Sequence, residues 1–537
     1  MGPPLSPWER EEFELLGVLP MTGPVDVVIV GAGAAGSVFA ARLAEAGKSV
    51  VVLEAGPHWT QGDLVSSQIW SRRLKWGGPR TLAAGEHARG LTMLQGWGVG
   101  GGALHHYGAW PRLHPEDFTL KSDTGIGLDW PIGYDDLRPY YDRVQAYAGL
   151  SGDTEREVWR PPAAPYPQAP TPRFRQGEIV AAAFERLGFR TSAPPSAITT
   201  GWHGDRPPCQ QDGWCDAGCP ILSLFNPMAL HLPKAEAAGA VIRARSPVTR
   251  VLTEKGRAVG VAYVDMATGE RREQPATLVV LAGAVVQNAR LLLASAGGGL
   301  ANRSGLVGRY VNGHTFSSGY GLVAEETENH RGHTAGQVFT QDGYGKARPD
   351  GAFGSVTWIG ASAIKPNDLI GIANTRPDLF GTALHDFMRK GSRHLIQVGS
   401  INEALPVRDN RVELAGETDA VGMPLARMVH TLDPRSLALW AQVKAEGLRV
   451  VKAAGATEAW GGPPAVIHLM GGTVMGVDPM ASVTDGYGRS HDVPNLLIAG
   501  TGLFPTAGGV NPTFTLYALA ERTLDHVLAH WGDYAHG

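Results

Sequence analysis

The chain has 537 residues, of which 43% are hydrophobic and 18% are charged, and its formal net charge is −4. This length exceeds what one compact core usually supports, so two domains or one elaborated two-domain unit are expected. The composition excludes a disordered chain. Because no basic excess is available to neutralise phosphates, the charge argues against a nucleic-acid partner.

The amino-terminal segment MGPPLSPWEREEFELLGVLP lacks a basic region followed by an apolar one, and it contains no twin arginine. Gly2 and Ser6 fit a myristoylation pattern, but no polybasic segment accompanies them. No apolar run in the chain reaches the roughly 18 to 20 residues that cross a bilayer. These observations favour a cytoplasmic protein without a membrane partner.

The sequence VDVVIVGAGAAGS, which begins at Val25, predicts a nucleotide-binding turn. Val27 to Val30 form a short apolar run that suits a strand buried on both faces. Gly31, Gly33 and Gly36 follow as G-x-G-x-x-G and open a helix of small residues. The first glycine permits a tight turn, the second lets the backbone approach a pyrophosphate, and the third lets helix and strand pack closely.

The next predicted strand ends in a carboxylate. Ser49 to Leu53 form this second buried strand, and Glu54 follows it, eighteen residues beyond Gly36. A carboxylate at this position can accept hydrogen bonds from the hydroxyls of an adenosine ribose. Because strand, glycines, helix, strand and acid appear in order, a glycine-rich turn without a ligand is the weaker interpretation. The motif alone does not separate FAD from NAD.

Three later segments favour a flavin. The first, from Gly96 to Phe118, clusters glycines into a second surface made of backbone alone. In the second, residues 276–298, an apolar strand leads into a helix, and the strand-like stretch 246–265 before it predicts a β-meander. The third begins at His468 and includes a helix with one apolar face that starts near Asn511. A helix start of this kind can stabilise negative charge on a reduced flavin ring.

Together these segments resemble the glucose–methanol–choline (GMC) family of flavoprotein oxidoreductases, from about Val25 to the carboxyl terminus. Within the family, HLMGGTVMG (468–476), the spacing from His468 to Asn511 and the cysteine loop most resemble the FAD-dependent glucose and sorbitol dehydrogenase branch. The resemblance implies an α/β fold with a discontinuous, Rossmann-like FAD-binding domain and a substrate domain built on a mixed antiparallel sheet.

The resemblance also implies which residues contact FAD. The expected cofactor-binding residues are Gly31, Gly33, Ala34, Gly36, Glu54, Gly100, Gly101, His105, Val248, Ala282, Gly500, Pro512 and Thr513. The segment GGGALHHYGAWPRL is similar to a pyranose oxidase segment in which a histidine can be linked covalently to FAD. His105 falls at that position, although the flanking residues differ, so covalent and non-covalent FAD both remain open.

In the family, the substrate alcohol loses its hydroxyl proton to a base and its hydride to the flavin. The resemblance places the base at His468 and its partner at Asn511. Histidine suits this role because its unperturbed pKa of about 6.5 lets it accept a proton near neutral pH. Asn511 can hydrogen-bond the substrate oxygen without carrying charge. The alternative is that His468, one of eighteen histidines, is a packing residue.

The three cysteines of the chain lie in one loop, where Cys209, Cys215 and Cys219 are spaced C-x5-C-x3-C. In the branch that this chain resembles, a similar loop holds a three-iron cluster that carries electrons to another subunit. The resemblance therefore implies iron–sulfur ligands here. The alternative is an inherited loop without iron, whose thiols pack near a domain boundary. Zinc is disfavoured because a fourth ligand is not obvious nearby.

The two predicted domains are interleaved along the chain. Residues 22–118, 206–318 and 465–537 are expected to form the FAD-binding domain, and residues 119–205 and 319–464 the substrate domain. The first substrate segment is rich in proline and aromatic residues, which predicts an extended lid or surface arm. Alternating patterns in the second predict an antiparallel sheet over the flavin.

The sequence thus predicts an FAD-dependent enzyme that oxidises a CH–OH group of a sugar, polyol or amino sugar to a carbonyl. The electron acceptor would be oxygen or another molecule. An alternative is an oxidase of an aminoglycoside-type intermediate in antibiotic biosynthesis, for which the acidic residues 325–328 could attract a cationic sugar. A solvated acidic loop explains those residues more simply. An NAD-dependent dehydrogenase and a non-catalytic flavin-binding protein are the alternatives from other classes.

Overall fold

The structure is a computed structural model, and it describes residues 23–67, 74, 77–87, 95–463 and 465–536. The predictions made on the amino-terminal segment, including the Gly2 and Ser6 pattern, lie outside these residues. Within the described ranges, no helix combines the length and the apolar content that crossing a membrane would require.

The strands that build the fold are spread along the whole chain. In chain order they are β1 (Val25–Val30), β2 (Val50–Leu53), β3 (Leu82–Ala84), β4 (Val241–Arg243), β5 (Val248–Glu254), β6 (Arg257–Asp265), β7 (Glu270–Leu281), β8 (Asn312–Leu322), β9 (Val338–Thr340), β10 (Val356–Gly360), β11 (Leu395–Asn402), β12 (Arg411–Thr418), β13 (Pro424–Val429), β14 (Glu458–Gly461), β15 (Ala465–Met470) and β16 (Leu496–Ile498). The strands predicted around the first glycine motif are β1 and β2.

The helices are mostly short, as the many glycines and prolines lead one to expect. In chain order the α-helices are α1 (Ala34–Glu45), α2 (Leu120–Thr124), α3 (Tyr134–Ala148), α4 (Arg175–Arg186), α5 (His231–Ala237), α6 (Ala284–Ser295), α7 (Pro366–Ala373), α8 (Thr382–His394), α9 (Pro434–Ala453), α10 (Thr513–Ala529) and α11 (Trp531–Ala535). Short 3-10 helices include Gly101–Leu104, Cys215–Ala217 and Thr501–Leu503.

The largest sheet is parallel at its centre. Its strand order is β4-β2-β1-β7-β6-β5, and β16 also pairs with β7. β2 and β7 flank β1 in parallel, and β16 runs parallel to β7. These central strands are runs of Val, Ile and Leu that are almost wholly buried, as in α/β sheets covered by helices. The arrangement confirms the predicted Rossmann-like α/β fold.

The predicted β-meander is formed by β5, β6 and β7. β6 pairs antiparallel with both of its neighbours. The first part of β7 pairs with β6 and the second part pairs with β1. Pro275 lies opposite Gly260 of β6, and the next residue, Ala276, lies opposite Val25 of β1. The meander therefore continues directly into the parallel sheet.

The second sheet is antiparallel and confirms the sheet predicted for the substrate domain. Its order is β14-β8-β11-β10-β9, and β15 also pairs with β8. Within it, β8 and β11 pair from Thr315 opposite Asn402 to Leu322 opposite Leu395. The boundary predicted at residue 318 falls inside β8, and β15 joins this same sheet, so the two predicted domains share strands.

The faces of β8 have different neighbours. A Cβ added to Gly319 would lie 3.2 Å from the carbonyl oxygen of Gly447 in α9, so this face of the sheet packs against that helix. Side chains alternate between the two faces of a strand. His314 therefore lies on the face of β8 that is turned away from α9.

Helix α10 is buried on most of its sides, and α3 packs against it. The hydroxyls of Tyr141 in α3 and Thr515 in α10 are 2.6 Å apart. At the surface end, Arg143 of α3 donates to the carboxylate of Asp525 in α10 at 2.9 Å. Part of the predicted substrate segment 119–205 thus belongs to the core around the nucleotide-binding elements, whereas residues 155–174 lack helix and strand.

Candidate active site

A cavity of about 380 Å³ lies at the carboxyl ends of the central parallel strands. Its wall includes Gly31 after β1, Glu54 after β2, Ala282 after β7 and Gly500 after β16. This placement follows from the topology, because the carboxyl ends of parallel strands meet at one edge of the sheet, where open α/β sheets bind their ligands.

Most of the residues predicted to contact the cofactor or the substrate lie on this wall. They are Gly31, Gly33, Ala34, Glu54, Gly101, Val248, Ala282, His468, Gly500, Pro512 and Thr513. Predicted residues that do not line the cavity are Gly36, Gly100, His105 and Asn511. The fold therefore gathers segments from both ends of the chain around one cavity, as the sequence predicts.

Gly36 and Gly100 lie behind the wall. A Cβ on Gly36 would sit 2.0 Å from the carbonyl oxygen of Gly31, so the glycine lets α1 pack closely against β1. The N–H of Gly100 donates to the carbonyl of Ala32 at 3.0 Å, which joins the first glycine turn to the second. Both residues shape the wall without facing the cavity.

The two glycine turns touch each other directly. A Cβ on Gly101 would lie 2.8 Å from the Cα of Gly33, and Gly101 has a φ of +55°, a conformation that L side chains rarely adopt. Side chains at this contact would push the turns apart. The wall is therefore made of backbone here, which suits the close approach of a pyrophosphate.

The carboxylate of Glu54 organises these turns. Its Oε2 accepts a hydrogen bond from the N–H of Ala32 at 2.9 Å, and its Oε1 accepts from Gly56 at 2.9 Å and from Gly98 at 3.2 Å. Burial raises the pKa of this carboxyl, and the backbone donors partly offset that rise. Contact with a ribose stays a prediction, whereas the bracing of both glycine turns is visible in the structure.

The adjacent histidines of the second glycine segment have different surroundings. His106 lines the cavity, and its Nε2 donates to the carbonyl of Phe225 at 2.7 Å while its Nδ1 accepts from the N–H of Gly108 at 3.1 Å. His105 is buried, follows the 3-10 helix Gly101–Leu104 and does not line the cavity. A covalent link between His105 and FAD stays a prediction.

His468 sits on an irregularity of β15. Between Ile467 and Met470 the register with β8 shifts by one residue, which forms a β-bulge. His468 adopts a φ of +56°, in the left-handed region that non-glycine residues enter rarely. Bulges re-aim side chains, and such backbone strain concentrates at functional sites. His468, which lies within this bulge, lines the cavity.

His468 is paired with His314 of β8, a residue that the sequence reasoning missed. The two Nδ1 atoms lie 3.1 Å apart, and the rings meet nearly edge to face at 83°. Burial lowers the pKa of both imidazoles below 6.5, and the proximity of His314 lowers that of His468 further. Both rings are therefore neutral at neutral pH, unlike the histidine titrating near 6.5 that the sequence suggested.

The loop 506–511 before α10 carries Asn511 and is held from several sides. Trp130 donates its indole N–H to Thr506 at 2.7 Å, and the N–H of Gly509 donates to the hydroxyl of Tyr344 at 2.9 Å. Oδ1 of Asn511 is buried, and no protein group among the described residues hydrogen-bonds it. A buried acceptor without a protein partner can receive a hydrogen bond from a ligand or a water molecule.

A buried ion cluster lies beneath this loop. Lys346 is salt-bridged to Asp117 and, at 2.8 Å, to Glu403, and the hydroxyl of Tyr344 donates to Asp117 at 2.9 Å. Burial alone would lower the pKa of Lys346, but the two carboxylates raise it above its usual value. The same Tyr344 hydroxyl receives the Gly509 N–H, so the cluster is continuous with the loop.

The three cysteines converge on a separate cavity of about 80 Å³ and pack with Ile198 and Leu224. Burial raises the pKa of Cys209 to about 12 and that of Cys215 to about 11. Among the described residues, no group of three or more His, Cys, Asp or Glu is arranged to hold a metal ion. The predicted iron–sulfur cluster is therefore unsupported.

The acidic segment at 325–328 lies on the surface and does not line the cavity. Its carboxylates form ion pairs with arginines, namely Glu325 with Arg175, Glu326 with Arg393 and Glu328 with Arg331. The simpler interpretation of this segment, a solvated acidic loop, fits this arrangement.

Comparison with known families agrees with the geometry. Residues 25–316 and residues 406–520 match the amino-terminal and carboxyl-terminal family models that are described as GMC oxidoreductase. The chain belongs to the GMC oxidoreductase family, which confirms the resemblance, and it is an enzyme of the oxidoreductase class. Members of this family bind FAD.

Three curated relatives cover nearly the whole chain. The 2-methyl-1,2-propanediol dehydrogenase of Mycolicibacterium austroafricanum is 30% identical over 95% of this chain and 96% of its own length. The fructose dehydrogenase large subunit of Gluconobacter japonicus is 29% identical over 94% and 97%. The paromamine 6'-oxidase of Streptomyces fradiae is 30% identical over 93% and 90%. Sugar dehydrogenases are thus among the relatives, as the branch resemblance implied.

The cavity fits the cofactor of the family. Its volume is in the range of small-molecule sites, and its floor is the glycine-lined edge of a parallel sheet. A Cβ on Gly500 would meet no heavy atom within 4 Å, so this wall position leaves open space that a side chain would fill. Glu54 and the glycine turns would hold the dinucleotide end, and His468 with Pro512 and Thr513 would border the flavin end.

Proposed function

We propose that this chain oxidises a CH–OH group of a sugar, polyol or amino sugar to a carbonyl with FAD as its cofactor. Bound FAD would supply the acceptor for the hydride. One observation supports the proposal above the others: the dinucleotide-type glycine turns and His468 line the same cavity, although 435 residues separate Gly33 from His468. The remaining groups of the site fit this role as follows.

His468 would take the hydroxyl proton of the substrate. A general base must be unprotonated when the substrate arrives. Burial and the neighbouring His314 lower the pKa of His468, which keeps its imidazole neutral across the neutral range. The lowered pKa makes it a weaker base than a free histidine. The proton transfer therefore depends on the hydride leaving the same carbon, because loss of hydride makes the hydroxyl proton more acidic.

Asn511 would orient the substrate oxygen. Its buried Oδ1 has no hydrogen-bonding partner among the described residues, and the loop around it is held by Trp130 and Tyr344. A loop held in this way loses little further freedom when a ligand binds. Asn511 does not line the cavity itself, but it precedes the lining residues Pro512 and Thr513.

The substrate class rests on the relatives. A diol, a ketose and an aminoglycoside precursor are the substrates that their names indicate. All three kinds of molecule are small and carry more than one polar group. The paromamine 6'-oxidase relative favours an amino-sugar substrate as a second candidate within the same chemistry. Oxygen and a different electron acceptor are both compatible with this reaction.

The test is an anaerobic screen of polyols, sugars and amino sugars, followed by the absorbance of the flavin. We expect purified protein to be yellow and at least one class of alcohol to bleach it. A colourless protein without flavin bands would favour an NAD-dependent dehydrogenase. A yellow protein that no alcohol bleaches would favour a non-catalytic flavin-binding protein, and either result would contradict the proposal.

The role of His468 is tested by His468→Ala, with the exposed His330→Ala as the control for loss of an imidazole. We expect His468→Ala to retain FAD but to reduce the flavin about 10² to 10⁴ times more slowly with the best alcohol, the range that general bases contribute. His330→Ala should match the parent. Near-normal reduction by His468→Ala would remove this histidine from the mechanism.

A further inference from the structure

The contact between His314 and His468 is one end of a longer hydrogen-bonded chain. Nε2 of His314 lies 2.9 Å from the carbonyl oxygen of Gly508 and 3.3 Å from that of Ala507. Its Nδ1 lies 3.1 Å from Nδ1 of His468. The imidazole of His314 therefore bridges the loop before α10 and the bulge of β15.

The chemistry of these atoms fixes where the protons lie. A carbonyl oxygen can only accept a hydrogen bond, so Nε2 of His314 carries the proton and donates to Gly508. A neutral imidazole has a single N–H, so Nδ1 of His314 is an acceptor. The 3.1 Å contact then requires that Nδ1 of His468 donates. Nε2 of His468 is left without a proton.

The neutral state of both rings supports this assignment. His314 is buried, and burial lowers its pKa despite the carbonyls of Gly508 and Ala507 and the nearby carboxylate of Asp117, all of which act to raise it. If His314 were doubly protonated, its Nδ1 would donate to Nδ1 of His468, and the direction of this hydrogen bond would be reversed. Burial disfavours that state and outweighs the opposing effect of Asp117.

We propose that His314 is a positioning residue, which holds His468 in the tautomer whose Nε2 is unprotonated and available to the substrate. This inference rests on the proposed function, because it assigns the base atom of that same site. The substrate O–H bond breaks and its proton goes to Nε2 of His468, while the C–H bond breaks and the carbonyl bond forms. Bound FAD would supply the acceptor for the hydride that leaves the carbon. Nδ1 of His468 keeps its proton and its bond to His314 throughout.

The same contact links the base to the substrate-orienting loop. Gly508, which receives the His314 N–H, precedes Asn511 by three residues. The adjacent Gly509 is held by Tyr344 above the buried ion cluster. Base and loop are thereby positioned against each other before a substrate binds, which is how active sites gain rate from orientation.

Two substitutions at this position separate positioning from simple packing. His314→Leu removes the acceptor for the His468 N–H. His314→Asn keeps an acceptor, because its side-chain oxygen can occupy roughly the position of Nδ1. His333→Leu is the matched control, since His333 is equally buried, does not line the cavity and makes no ring hydrogen bond among the described residues.

We expect His314→Leu to bind FAD and to slow flavin reduction by about 10²-fold or more, the lower range of a general base's contribution. Its KM should change little, because the tautomer affects proton transfer and not binding. The remaining rate should rise with pH, since hydroxide must then remove the substrate proton. The rate of flavin reduction in His314→Asn should stay within roughly tenfold of the parent's, because one neutral hydrogen bond contributes about 1 kcal/mol. His333→Leu should keep the parent's rate and pH profile.

A second measurement needs no substrate. Long-range ¹H–¹⁵N spectra of protein labelled at its histidine ring nitrogens distinguish protonated from unprotonated nitrogens, and His468→Ala and His314→Asn assign the two rings. We expect a proton on Nδ1 of His468 and on Nε2 of His314. The reverse tautomers, or parent-like rate and pH profile in His314→Leu, would overturn the inference. Absence of bleaching in the parent would instead overturn the proposed function alone, because the spectra would still test the tautomer.

Discussion

The side chain of Glu54 accepts a hydrogen bond from the N–H of Gly98 at 3.2 Å, although 44 residues separate them. Through its other oxygen the same carboxylate accepts from Ala32 in the first glycine turn. The two backbone surfaces that line the dinucleotide end of the cavity are therefore held together by one buried acid. A residue predicted to contact a ribose has a second role in building the wall.

The substitution Glu54→Gln tests that second role. A neutral amide has a single oxygen, so its NH2 group would face a backbone N–H donor and leave it unsatisfied, at a cost of about 1 to 3 kcal/mol. We expect a lower FAD-to-protein ratio after purification and a lower Tm. The exposed Glu273→Gln in β7 is the control and should change neither. Normal FAD content and Tm in Glu54→Gln would contradict the bracing role.

The ion cluster beneath the substrate loop gives a second prediction. Lys346→Met leaves the carboxylates of Asp117 and Glu403 buried without their cation, and breaking a buried pair in this way costs about 3 to 5 kcal/mol. We expect a clear drop in Tm. Slower flavin reduction should accompany it, because Tyr344 joins Asp117 to Gly509.

A matched surface pair controls for the loss of a lysine. Lys390 forms an exposed ion pair with Glu458 at 3.7 Å, and such pairs contribute about 0 to 1 kcal/mol. Lys390→Met should therefore leave Tm and the rate of flavin reduction near those of the parent. If the two lysine substitutions lowered Tm and the rate of flavin reduction equally, burial of the ion cluster would not explain its contribution to either.

The nucleotide end of the site was predictable because its signal is local. The strand, glycines and helix that begin at Val25 lie in one short stretch, and each residue type reports its own backbone role. The same locality places Glu54 directly after β2. No sequence pattern, however, could show that Glu54 reaches Gly98, because that contact depends on how two distant turns fold against each other.

His314 shows what the sequence could not supply. Its importance arises from the register of β8 with β15 and from a bulge that appears only once both strands are paired. The different surroundings of His105 and His106 were hidden from the sequence for a related reason. The two residues are neighbours, and only the 3-10 turn Gly101–Leu104 decides which side chain faces the cavity.

The cysteine loop gives a third prediction, for which Cys209→Ser is the change. Because the described residues form no metal-holding group, the loop should pack as thiols. We expect protein purified without oxygen to contain less than stoichiometric iron and no broad visible absorbance beyond that of flavin. Cys209→Ser should keep the parent's spectrum and its rate of flavin reduction, because Cys209 does not line the cavity that His468 lines.

The parent protein analysed for iron by the same procedure is the reference for this comparison. If the parent contained stoichiometric iron and Cys209→Ser contained less, the thiol assignment would be contradicted. That result would support the iron–sulfur cluster suggested by the sequence. A change in Tm without a change in spectrum would not do so, since Cys209 also packs against the apolar residues of its loop.

Glu157 gives a prediction on pH, and it lies in the segment expected to be a lid or surface arm. The side chain is buried, and the hydroxyl of Tyr166 donates to it at 2.6 Å. Burial raises the pKa of Glu157 from 4.5 to about 7, against the opposing effects of Tyr166 and of Arg160. The segment is thus anchored by a carboxyl that the folded state prefers to keep protonated.

The sign of the effect follows from linkage. Because the pKa is higher in the folded state than in the unfolded state, the folded state binds the extra proton between these two values, and stability falls as pH rises. The contribution is fully present below about pH 4.5 and is lost as the pH rises through about 7. At about 1.4 kcal/mol per pKa unit, the loss amounts to about 3 to 4 kcal/mol.

We therefore expect Glu157→Gln, which cannot ionise, to gain Tm relative to the parent as the pH is raised from 4.5 to 8. The nearby exposed Glu155→Gln is the control, and its Tm should follow that of the parent at every pH. Thermal unfolding of the three proteins across this range is the measurement. A Tm difference between Glu157→Gln and the parent that stays constant with pH would mean that this carboxyl titrates normally. That result would contradict the argument that the buried carboxyl anchors the segment.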